Sequence, residues 1–245
     1  MDGRVVIWVN EGGSVAQAEA FSRANNIPIS DKPGDGLTLV YGSEGVSLAG
    51  YGLSFRGDFE RIVRRVTKGR IMQELLVRAA KSTKTQPIAI DATAGMGEDS
   101  FLLAAYGYDV TLCEQNPVIA ELLRDALSRA ATCPDTAETI SRMHLVCGDS
   151  VEFMKSGEHK ADVVYLDPMF PARQKSGLIN KKLQLIQKLE PPCCAENDLF
   201  EAALAAQPAK IIVKRPLKSP NLAGRRPSYT LSGKAIRFDC YVIRT

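Results

Sequence analysis

The apolar residues of this chain follow two different patterns, one before about residue 58 and one after residue 86. In the first region, short apolar runs predict a strand over 4–9, a helix over 14–25 and a hairpin of strands over 37–41 and 46–51. Ser14 is a suitable N-cap for that helix, and Gly-Ser-Glu-Gly joins the two strands of the hairpin. These elements predict a small α+β segment.

After residue 86, strand-sized apolar runs alternate with helical stretches. Strands are predicted over 87–93, 109–115, 143–150, 161–168 and 210–214. Helices are predicted over 99–106, over 116–130, from residue 151 and, after a polar basic loop, before the strand at 210. The last residues, 225–244, predict two strands with a Ser-Gly turn between them. This alternation indicates an α/β fold, with a mostly parallel seven-stranded sheet, helices on both faces and an antiparallel C-terminal hairpin.

The chain is therefore expected to have three parts. Residues 1–58 form the small N-terminal α+β segment, residues 59–86 a basic helical connector, and residues 87–245 the main domain. Within the connector, residues 59–80 are predicted to be mostly helical with an interruption near Gly69.

The composition excludes several classes of protein. With 45% hydrophobic and 24% charged residues the chain is ordinary for a globular protein, and its apolar runs are far shorter than the roughly 20 residues of a membrane span. The first residues do not resemble a secretory signal, so a cytoplasmic location is expected.

Six cysteines without a CxxC pair and only two histidines argue against a metal site. Cys113, Cys147 and Cys240 lie in apolar runs and are predicted to be buried free thiols.

A glycine-containing turn, residues 91–100, follows the first strand of the main domain. Gly95 and Gly97 lack side chains, so the backbone can approach a ligand, and the next helix begins there with free N–H groups. Glu114 ends the second strand 23 residues after Asp91, a position suited to binding both hydroxyls of a ribose. Glu114 alone would more simply be a surface carboxylate, but its combination with the glycine turn favours ligand binding.

Acidic residues end four successive strands of the main domain: Asp91, Glu114, Asp149 and Asp167. Open parallel sheets bind ligands at the carboxyl ends of their strands, so we expect these acids to converge. A dinucleotide is disfavoured, because Ser100 replaces the third glycine of its usual turn and Glu98 and Asp99 would repel a diphosphate. S-adenosylmethionine has no phosphate and carries a sulfonium cation, which an acidic turn suits.

The fourth strand ends in Asp-Pro-Met-Phe-Pro, residues 167–171, which is similar to the (Asp/Asn)-Pro-Pro-(Tyr/Phe/Trp) motif of methyltransferases that modify exocyclic amines of bases. An exocyclic amine is a poor nucleophile, since its lone pair is delocalised into the ring. The Asp167 carboxylate and a backbone carbonyl near Pro168 can hold the N–H groups and aim that lone pair, while Phe170 stacks on an extruded base. The alternative is a proline-rich turn with Phe170 in the core.

In these motifs the chain resembles the ribosomal RNA small-subunit methyltransferase J family of bacteria. The resemblance covers about residues 87–243 and is carried by DATAGMGEDSFLLAAYGYDV, LCEQNPVIAELLRDAL, VVYLDPMFPARQKSGLINKK, KIIVKRP and KAIRFDCYVI. It implies a class I Rossmann-like methyltransferase that uses S-adenosylmethionine to methylate N2 of a guanine in 16S rRNA, guanine 1516 in the usual numbering. The N-terminal segment resembles the family only loosely, in its layout.

The resemblance assigns cofactor binding to residues at the strand ends. These are Glu98 and Asp99 in the glycine turn, Glu114 and Gln115 after the second strand, Asp149 and Ser150 after the third, and Asp167 after the fourth. Family members often carry Arg in place of Glu98 and Gln115, which leaves open whether side chain or backbone makes those contacts. From the residues themselves, we expect Glu114 to hold the ribose, Asp149 to accept a hydrogen bond from the adenine amine, and Asp91 to stabilise the turn.

The distribution of charge indicates a nucleic-acid partner, and the resemblance implies 16S rRNA or the small ribosomal subunit. The net charge is only +3, but three stretches without any acid, residues 61–73, 168–189 and 202–238, carry five, five and eight basic residues. Such a distribution can present a phosphate-binding face. The candidates for RNA contact are Arg64, Arg65, Lys68, Arg173, Lys175, Lys214 and Arg215. Lys214 and Arg215 have an alternative as strand-end surface charges.

Three other functions stay open at this point. The Asp-Pro-Met-Phe sequence does not choose the base, so adenine or cytosine in DNA or another RNA is an alternative substrate. A nicotinamide-dependent oxidoreductase and a non-catalytic RNA-binding protein with a methyltransferase core are the others.

Overall fold

The structure is a computed structural model that describes residues 5–168, 185, 186, 189 and 195–243. Residues 5–55 form a five-stranded sheet with one helix. Its strands are β1 (Val6–Val9), β2 (Ile29–Ser30), β3 (Thr38–Gly42), β4 (Gly45–Gly50) and β5 (Leu53–Phe55), in the order β2-β1-β3-β4-β5. β1 is parallel to both neighbours, whereas β3, β4 and β5 form an antiparallel meander.

The helix of this segment, α1 (Val15–Asn25), connects β1 to β2. The Ser14 hydroxyl accepts a hydrogen bond from the Gln17 N–H at its start, and Asn26 ends it in the left-handed conformation. The strand, helix and hairpin predicted for this segment are confirmed. The short strands β2 and β5 are additional.

The chain between the two sheets is helical in short pieces. It contains α2 (Glu60–Val66), a 3-10 turn (Ile71–Gln73) and α3 (Leu75–Ala79). Gly69 lies between the first two with a φ of 87°, which an L side chain rarely adopts. The predicted helical stretch with an interruption near Gly69 is confirmed.

Residues 88–242 form a seven-stranded sheet with helices on both faces. The strands are β6 (Ile88–Asp91), β7 (Asp109–Glu114), β8 (Met143–Cys147), β9 (Val163–Leu166), β10 (Lys210–Pro216), β11 (Tyr229–Ser232) and β12 (Ile236–Val242). The helices are α4 (Glu98–Tyr106), α5 (Pro117–Ala130), α6 (Ala137–Ile140), α7 (Ser150–Lys155) and α8 (Glu196–Ala205), and a second 3-10 turn covers Leu222–Gly224.

The strand order of this sheet, β11-β12-β10-β9-β6-β7-β8, confirms the predicted Rossmann-like α/β fold. The strands from β10 to β8 are parallel, and the C-terminal hairpin adds β12 and β11 in antiparallel orientation. The chain starts the sheet at β6 and extends it first towards β8 and then towards β11. The order therefore reverses beside β6, where open sheets of this kind have their ligand crevice.

The central strands are buried on both faces. Consecutive residues such as Ile211 and Ile212 belong to different core clusters, one packed under α3 and α4 and the other under α7 and α8. This explains why the strands have continuous apolar runs rather than an alternating pattern. No described helix is both long enough and apolar enough to cross a membrane.

The five-stranded sheet packs on α5. Leu39 and Leu48 share a core cluster with Leu122 of that helix. The Tyr41 hydroxyl donates to Glu121 at 3.0 Å, and the Arg129 guanidinium donates to the Gly57 carbonyl at 2.7 Å. A Cβ at Gly57 would lie 2.8 Å from the Ala126 Cβ, so this approach requires glycine.

The cysteines differ in one respect from the sequence expectation. Cys113 and Cys240 are buried, and burial raises the pKa of the Cys113 thiol to about 12. Cys147 is exposed, contrary to the prediction, because it lies near the end of β8 at the edge of the sheet. Cys193 and Cys194 lie outside the described residues.

Candidate active site

The predicted acids lie along one edge of the large sheet. Their order across that edge is Asp167 after β9, Asp91 at the end of β6, Glu114 at the end of β7, and Asp149 after β8. The strands that carry them are parallel neighbours, so their carboxyl ends share the crevice beside β6.

The glycine turn is held by Glu114. Gly95 and Gly97 have φ values of 53° and 71°. The Gly95 N–H donates to Glu114 Oε2 at 2.9 Å, and Oε1 of the same carboxylate accepts from the Asn116 N–H at 2.8 Å. Glu114 therefore ties the turn to the start of α5, because Asn116 is the N-cap of that helix.

The two glycines face different surroundings. A Cβ at Gly97 would lie 3.0 Å from Leu123 Cδ1, so Gly97 permits close packing on the core. A Cβ at Gly95 would meet no atom of the described residues within 4 Å. Gly95 thus leaves open space beside the turn, where a ligand can approach the backbone.

Asp91 is buried beneath this turn. Its carboxylate accepts from the Ser100 hydroxyl at 2.5 Å and from the Thr93 N–H at 3.1 Å. Burial raises the pKa of Asp91 to about 7, against the lowering effect of these two hydrogen bonds. These contacts support the turn-stabilising role expected for Asp91, and they give Ser100 a role that the sequence did not indicate.

Lys214 connects two acids of the site. Its Nζ lies 2.7 Å from Asp99 Oδ2 and 2.9 Å from Asp167 Oδ2. The Tyr165 hydroxyl donates to the same oxygen of Asp99 at 2.6 Å, and the Asp167 N–H donates to the Thr93 hydroxyl at 2.6 Å. The first turn of α4 and the ends of β9 and β10 are therefore joined by one hydrogen-bonded cluster.

Burial dominates the ionisation of this cluster. It raises the pKa of Asp167, which Lys214 lowers and Asp99 raises further. Burial lowers the pKa of Lys214, but Asp99 and Asp167 more than compensate, so its pKa lies above the ordinary value. Burial and the nearby carboxylates raise the pKa of Tyr165 well above its ordinary value. Lys214 is thus held as a cation and Tyr165 as a neutral hydroxyl.

The other predicted cofactor residues lie at the same edge. Asp149 is the N-cap of α7, where its Oδ1 accepts from the Val151 N–H at 2.7 Å, and its side chain is exposed to the crevice edge. Ser150 begins α7 and is half-buried. Glu98, at the start of α4, and Gln115, directly after β7, are both exposed. Pro168 is buried, and Phe170 lies outside the described residues.

The structure revises two of the candidate RNA contacts. Arg215 is only 1% exposed, and its guanidinium donates to the Pro220 carbonyl and to Glu196. Lys214 forms ion pairs with Asp99 and Asp167. Consecutive residues of a strand face opposite sides, so Lys214 and Arg215 could not both belong to one phosphate-binding surface. Arg173 and Lys175 lie outside the described residues.

The remaining RNA candidates lie at the end of α2 (Arg64 and Arg65) and just after it (Lys68). Arg65 makes a bidentate pair with Glu74, with both N–O distances at 2.8 Å. The hydrogen bond to Glu74 raises the pKa of Arg65 most, and Asp99 and Glu98 raise it further, which places this end of α2 beside the glycine turn. Arg64 and Lys68 are exposed there.

Tyr165, Thr93 and Ser100 were not identified from the sequence. Tyr165 precedes Asp167 by two residues, so the two side chains point to the same face of β9, which is a signal that the sequence did contain. The contacts of Thr93 and Ser100 depend on how the chain turns after β6 and have no comparable signal.

The carboxylates of this site suit S-adenosylmethionine better than a ligand that carries phosphates. Carboxylates line the edge around the glycine turn, and no atom of the described residues lies within 4 Å of a Cβ built at Gly95. Carboxylates attract a sulfonium cation and accept hydrogen bonds from ribose hydroxyls and an adenine amine, whereas they repel phosphates. Among the described residues, no group of three or more His, Cys, Asp or Glu side chains could hold a metal ion.

Comparisons with known proteins agree with this geometry. The family model described as "Putative SAM-dependent methyltransferase" matches residues 39–243. Ribosomal RNA small subunit methyltransferase J of Thioalkalivibrio sulfidiphilus is 39% identical over 236 residues, covering 92% of each chain. The protein of the same name from Dechloromonas aromatica is 39% identical, covering 93% of this chain and 96% of its own.

A solved structure has the same fold over nearly the whole chain. The crystal structure of a SAM-dependent methyltransferase from Neisseria gonorrhoeae superimposes with a TM-score of 0.78 and 33% identity. The match covers 96% of this chain and 95% of that one. It therefore includes the five-stranded N-terminal sheet as well as the larger sheet.

Proposed function

We propose an activity for this chain, which belongs to the ribosomal RNA small subunit methyltransferase J family. It methylates the exocyclic N2 of a guanine in the rRNA of the small ribosomal subunit. S-adenosylmethionine is the cofactor of this family. The expectation from the sequence, guanine 1516 of 16S rRNA, is retained as part of the proposal.

The placement of Asp167 carries the proposal. Its carboxylate lies at the end of β9 beside the glycine turn, with its backbone N–H bound to Thr93 and its Oδ2 bound to Lys214. The Asp167 side chain is 36% exposed, so its carboxylate can accept a hydrogen bond from a base that enters the crevice. An extruded base can then present its amine to a fixed acceptor.

The chain's own residues position the reactants. When bound, the cofactor supplies an electrophilic methyl group on a sulfonium sulfur. Glu114 and Asp149 hold the ribose and the adenine amine, and Asp167 accepts a hydrogen bond from the guanine N2 amine. Fixing that N–H turns the lone pair of N2 towards the methyl carbon, so the acceleration comes mainly from orientation.

The proton balance also involves Asp167. A bound cofactor would supply its methyl group to the N2 lone pair, and its sulfur would keep the electrons of the C–S bond. N2 then carries a positive charge and gives one proton to the Asp167 carboxylate, which passes it to solvent. Burial raises the pKa of Asp167, which makes its carboxylate a better proton acceptor than an exposed one.

Two exposed basic residues, Arg64 at the end of α2 and Lys68 just after it, supply the proposed RNA contact. They flank Arg65 in the chain, which is held by Glu74 and lies beside the glycine turn. Phosphate contacts at this place would orient the rRNA with its target base over the crevice. Arg173 and Lys175 follow Asp167 closely in the chain and stay candidates for the same role.

The decisive test is methyl transfer from labelled S-adenosylmethionine to small subunits and to their naked rRNA, both from cells that lack this protein. We expect label in N2-methylguanosine after digestion to nucleosides. Label in methyladenosine or methylcytidine would overturn the substrate base, and RNA binding without release of S-adenosylhomocysteine would overturn the enzyme activity.

A further inference from the structure

We propose that Lys214 determines the preference of this site for guanine, because with Asp167 it forms a donor–acceptor array complementary to the guanine edge. This inference rests on the proposed function and adds the residue that selects the base. It replaces the phosphate contact that the sequence suggested for Lys214.

Guanine presents two donors and one acceptor in a row along its Watson–Crick edge: N2–H, N1–H and O6. A carboxylate can accept from N2–H and N1–H together, and a cation beside it can donate to O6. An enzyme that takes a base out of the stack reads it through hydrogen bonds to this edge. The required array is therefore two acceptor oxygens followed by a donor.

Asp167 and Lys214 supply this array. Lys214 Nζ lies 2.9 Å from Asp167 Oδ2, a separation close to that between neighbouring groups on the edge of a base. An ammonium group has three N–H donors. Among the described residues, Asp99 and Asp167 accept two of them, and the third can reach O6. The side chain of Lys214 is 25% exposed, so a base in the crevice can contact it.

Surrounding residues hold the array in place before the base arrives. Asp99, at 2.7 Å from Lys214, is itself fixed by the Tyr165 hydroxyl. Among the described residues, the charged groups in contact with Lys214 are Asp99 from α4 and Asp167 after β9. Both are carboxylic acids, so the ammonium keeps its proton and acts only as a donor.

The other two amine-bearing bases do not fit the array. With the adenine amine on one oxygen of Asp167, the N1 lone pair would face the other oxygen, and C2–H would face Lys214. With the cytosine amine there, the N3 lone pair would face Asp167, although O2 could still accept from Lys214. A buried polar group left opposite the wrong partner is strongly unfavourable.

The test is a cycle of two enzymes and two substrates. The rRNA form that the wild-type enzyme methylates is prepared with guanine or with 2-aminopurine at the target position. 2-Aminopurine keeps the N2 amine but lacks O6 and the N1 proton. We expect Lys214→Met to reduce kcat/KM on guanine by about 10- to 100-fold, the loss of one charged hydrogen bond, and to change it on 2-aminopurine by less than about 3-fold.

An equal loss on both bases would overturn the inference, since a merely structural role slows both alike. Lys214→Arg, which keeps a cationic donor, should retain the preference for guanine. Lys210→Met is the matched control on the same strand, because Lys210 is also half-buried but donates to the Ala79 carbonyl, and it should leave the ratio of the two substrates unchanged.

Calorimetry of cofactor binding shows whether Lys214→Met is folded. If it does not bind the cofactor, Lys214→Gln, which keeps a neutral donor towards both carboxylates, goes through the same cycle and is judged by the same criterion. If the wild type methylates N2 of guanine but the Lys214 variant loses kcat/KM equally on both bases, this inference alone is overturned. Wild-type label on another base would overturn the proposed function itself.

Discussion

Asp167 is the residue whose loss should separate chemistry from cofactor binding. We expect Asp167→Ala to lower kcat by about 100-fold or more, because the N2 amine loses both its fixed acceptor and its proton acceptor. Glu114, which holds the glycine turn, is untouched by the change, so the cofactor should still bind. Single-turnover methyl transfer and calorimetry measure the two effects, and near-normal turnover would exclude Asp167 from the mechanism.

Asp91 should make stability depend on pH in the opposite direction to a salt-bridged acid. Its pKa is about 7 in the folded protein and about 4 in the unfolded chain, so the folded state binds the extra proton between these values. Its contribution is fully present below about pH 4 and is lost as the pH rises through 7. The free energy of unfolding should fall across this window by at most about 4 kcal/mol on its account.

Asp91→Asn isolates that contribution. The variant should lack this part of the decline, while every other titrating group is common to both proteins. Urea unfolding of the cofactor-free proteins between pH 4.5 and 8 measures the difference. Parallel pH profiles would show that Asp91 is ionised in the folded state throughout.

At single residues, the sequence predicted the acids of the site better than its cations. Asp91, Glu114, Asp149 and Asp167 were found because each follows an apolar strand. The partner of Lys214 could not be found in this way, because β9 and β10 are adjacent only in the folded sheet, with a long intervening segment. The burial of Arg215 follows from the face of β10 on which it lies, and a sequence of continuous apolar residues does not reveal which face is which.

The turn between β6 and α4 gives a test at the level of one element. Gly95→Ala should destabilise the protein only by about 1–2 kcal/mol, the penalty for a left-handed alanine, because its Cβ meets no described atom within 4 Å. The loss of cofactor-binding free energy should be larger than this loss of stability, since that Cβ occupies the space proposed for the ligand.

Gly107→Ala is the control for this prediction. Gly107 ends the same helix, α4, has a φ of 116°, and its Cβ would likewise meet no described atom within 4 Å. It should show a similar loss of stability with unchanged cofactor affinity. Equal cofactor affinity in both variants would contradict the placement of the ligand beside Gly95.

Long, strongly apolar elements were predicted with bounds close to those observed. The strands β6, β7 and β10 and the helix α5, with Asn116 as its cap, are examples. The elements that were not predicted are short: β2 has two residues, α6 four, and β5 three. Elements of this length have too few residues for a periodic pattern and depend on neighbours for their hydrogen bonds.

For the molecule as a whole, the basic surface formed by Arg64 at the end of α2 and Lys68 just after it should dominate the salt dependence of RNA binding. Replacing Arg64 and Lys68 with Ala should weaken binding and lower the slope of log K against log salt by about 1.4–1.8, the contribution of two phosphate contacts. Binding titrations at several salt concentrations measure this slope.

Lys155 and Lys160 provide the matched control for that double variant. α7 starts at the crevice edge, so its last turn, with Lys155, lies towards the opposite edge, and Lys160 follows it. Both are exposed and carry the same total charge as the α2 pair. If both double variants lower the slope equally, RNA binding depends on net charge and not on the α2 surface.

The packing of the N-terminal sheet on α5 has a consequence for how the protein folds during its synthesis. Residues 5–55 leave the ribosome before the helix that packs on Leu39 and Leu48, which spans residues 117–130. The sheet therefore has an uncovered apolar face until more than sixty further residues have been synthesised. The N-cap of α5, Asn116, is tied to the glycine turn through Glu114, so we expect the apolar face of the N-terminal sheet to be covered by the same helix that organises the cofactor edge.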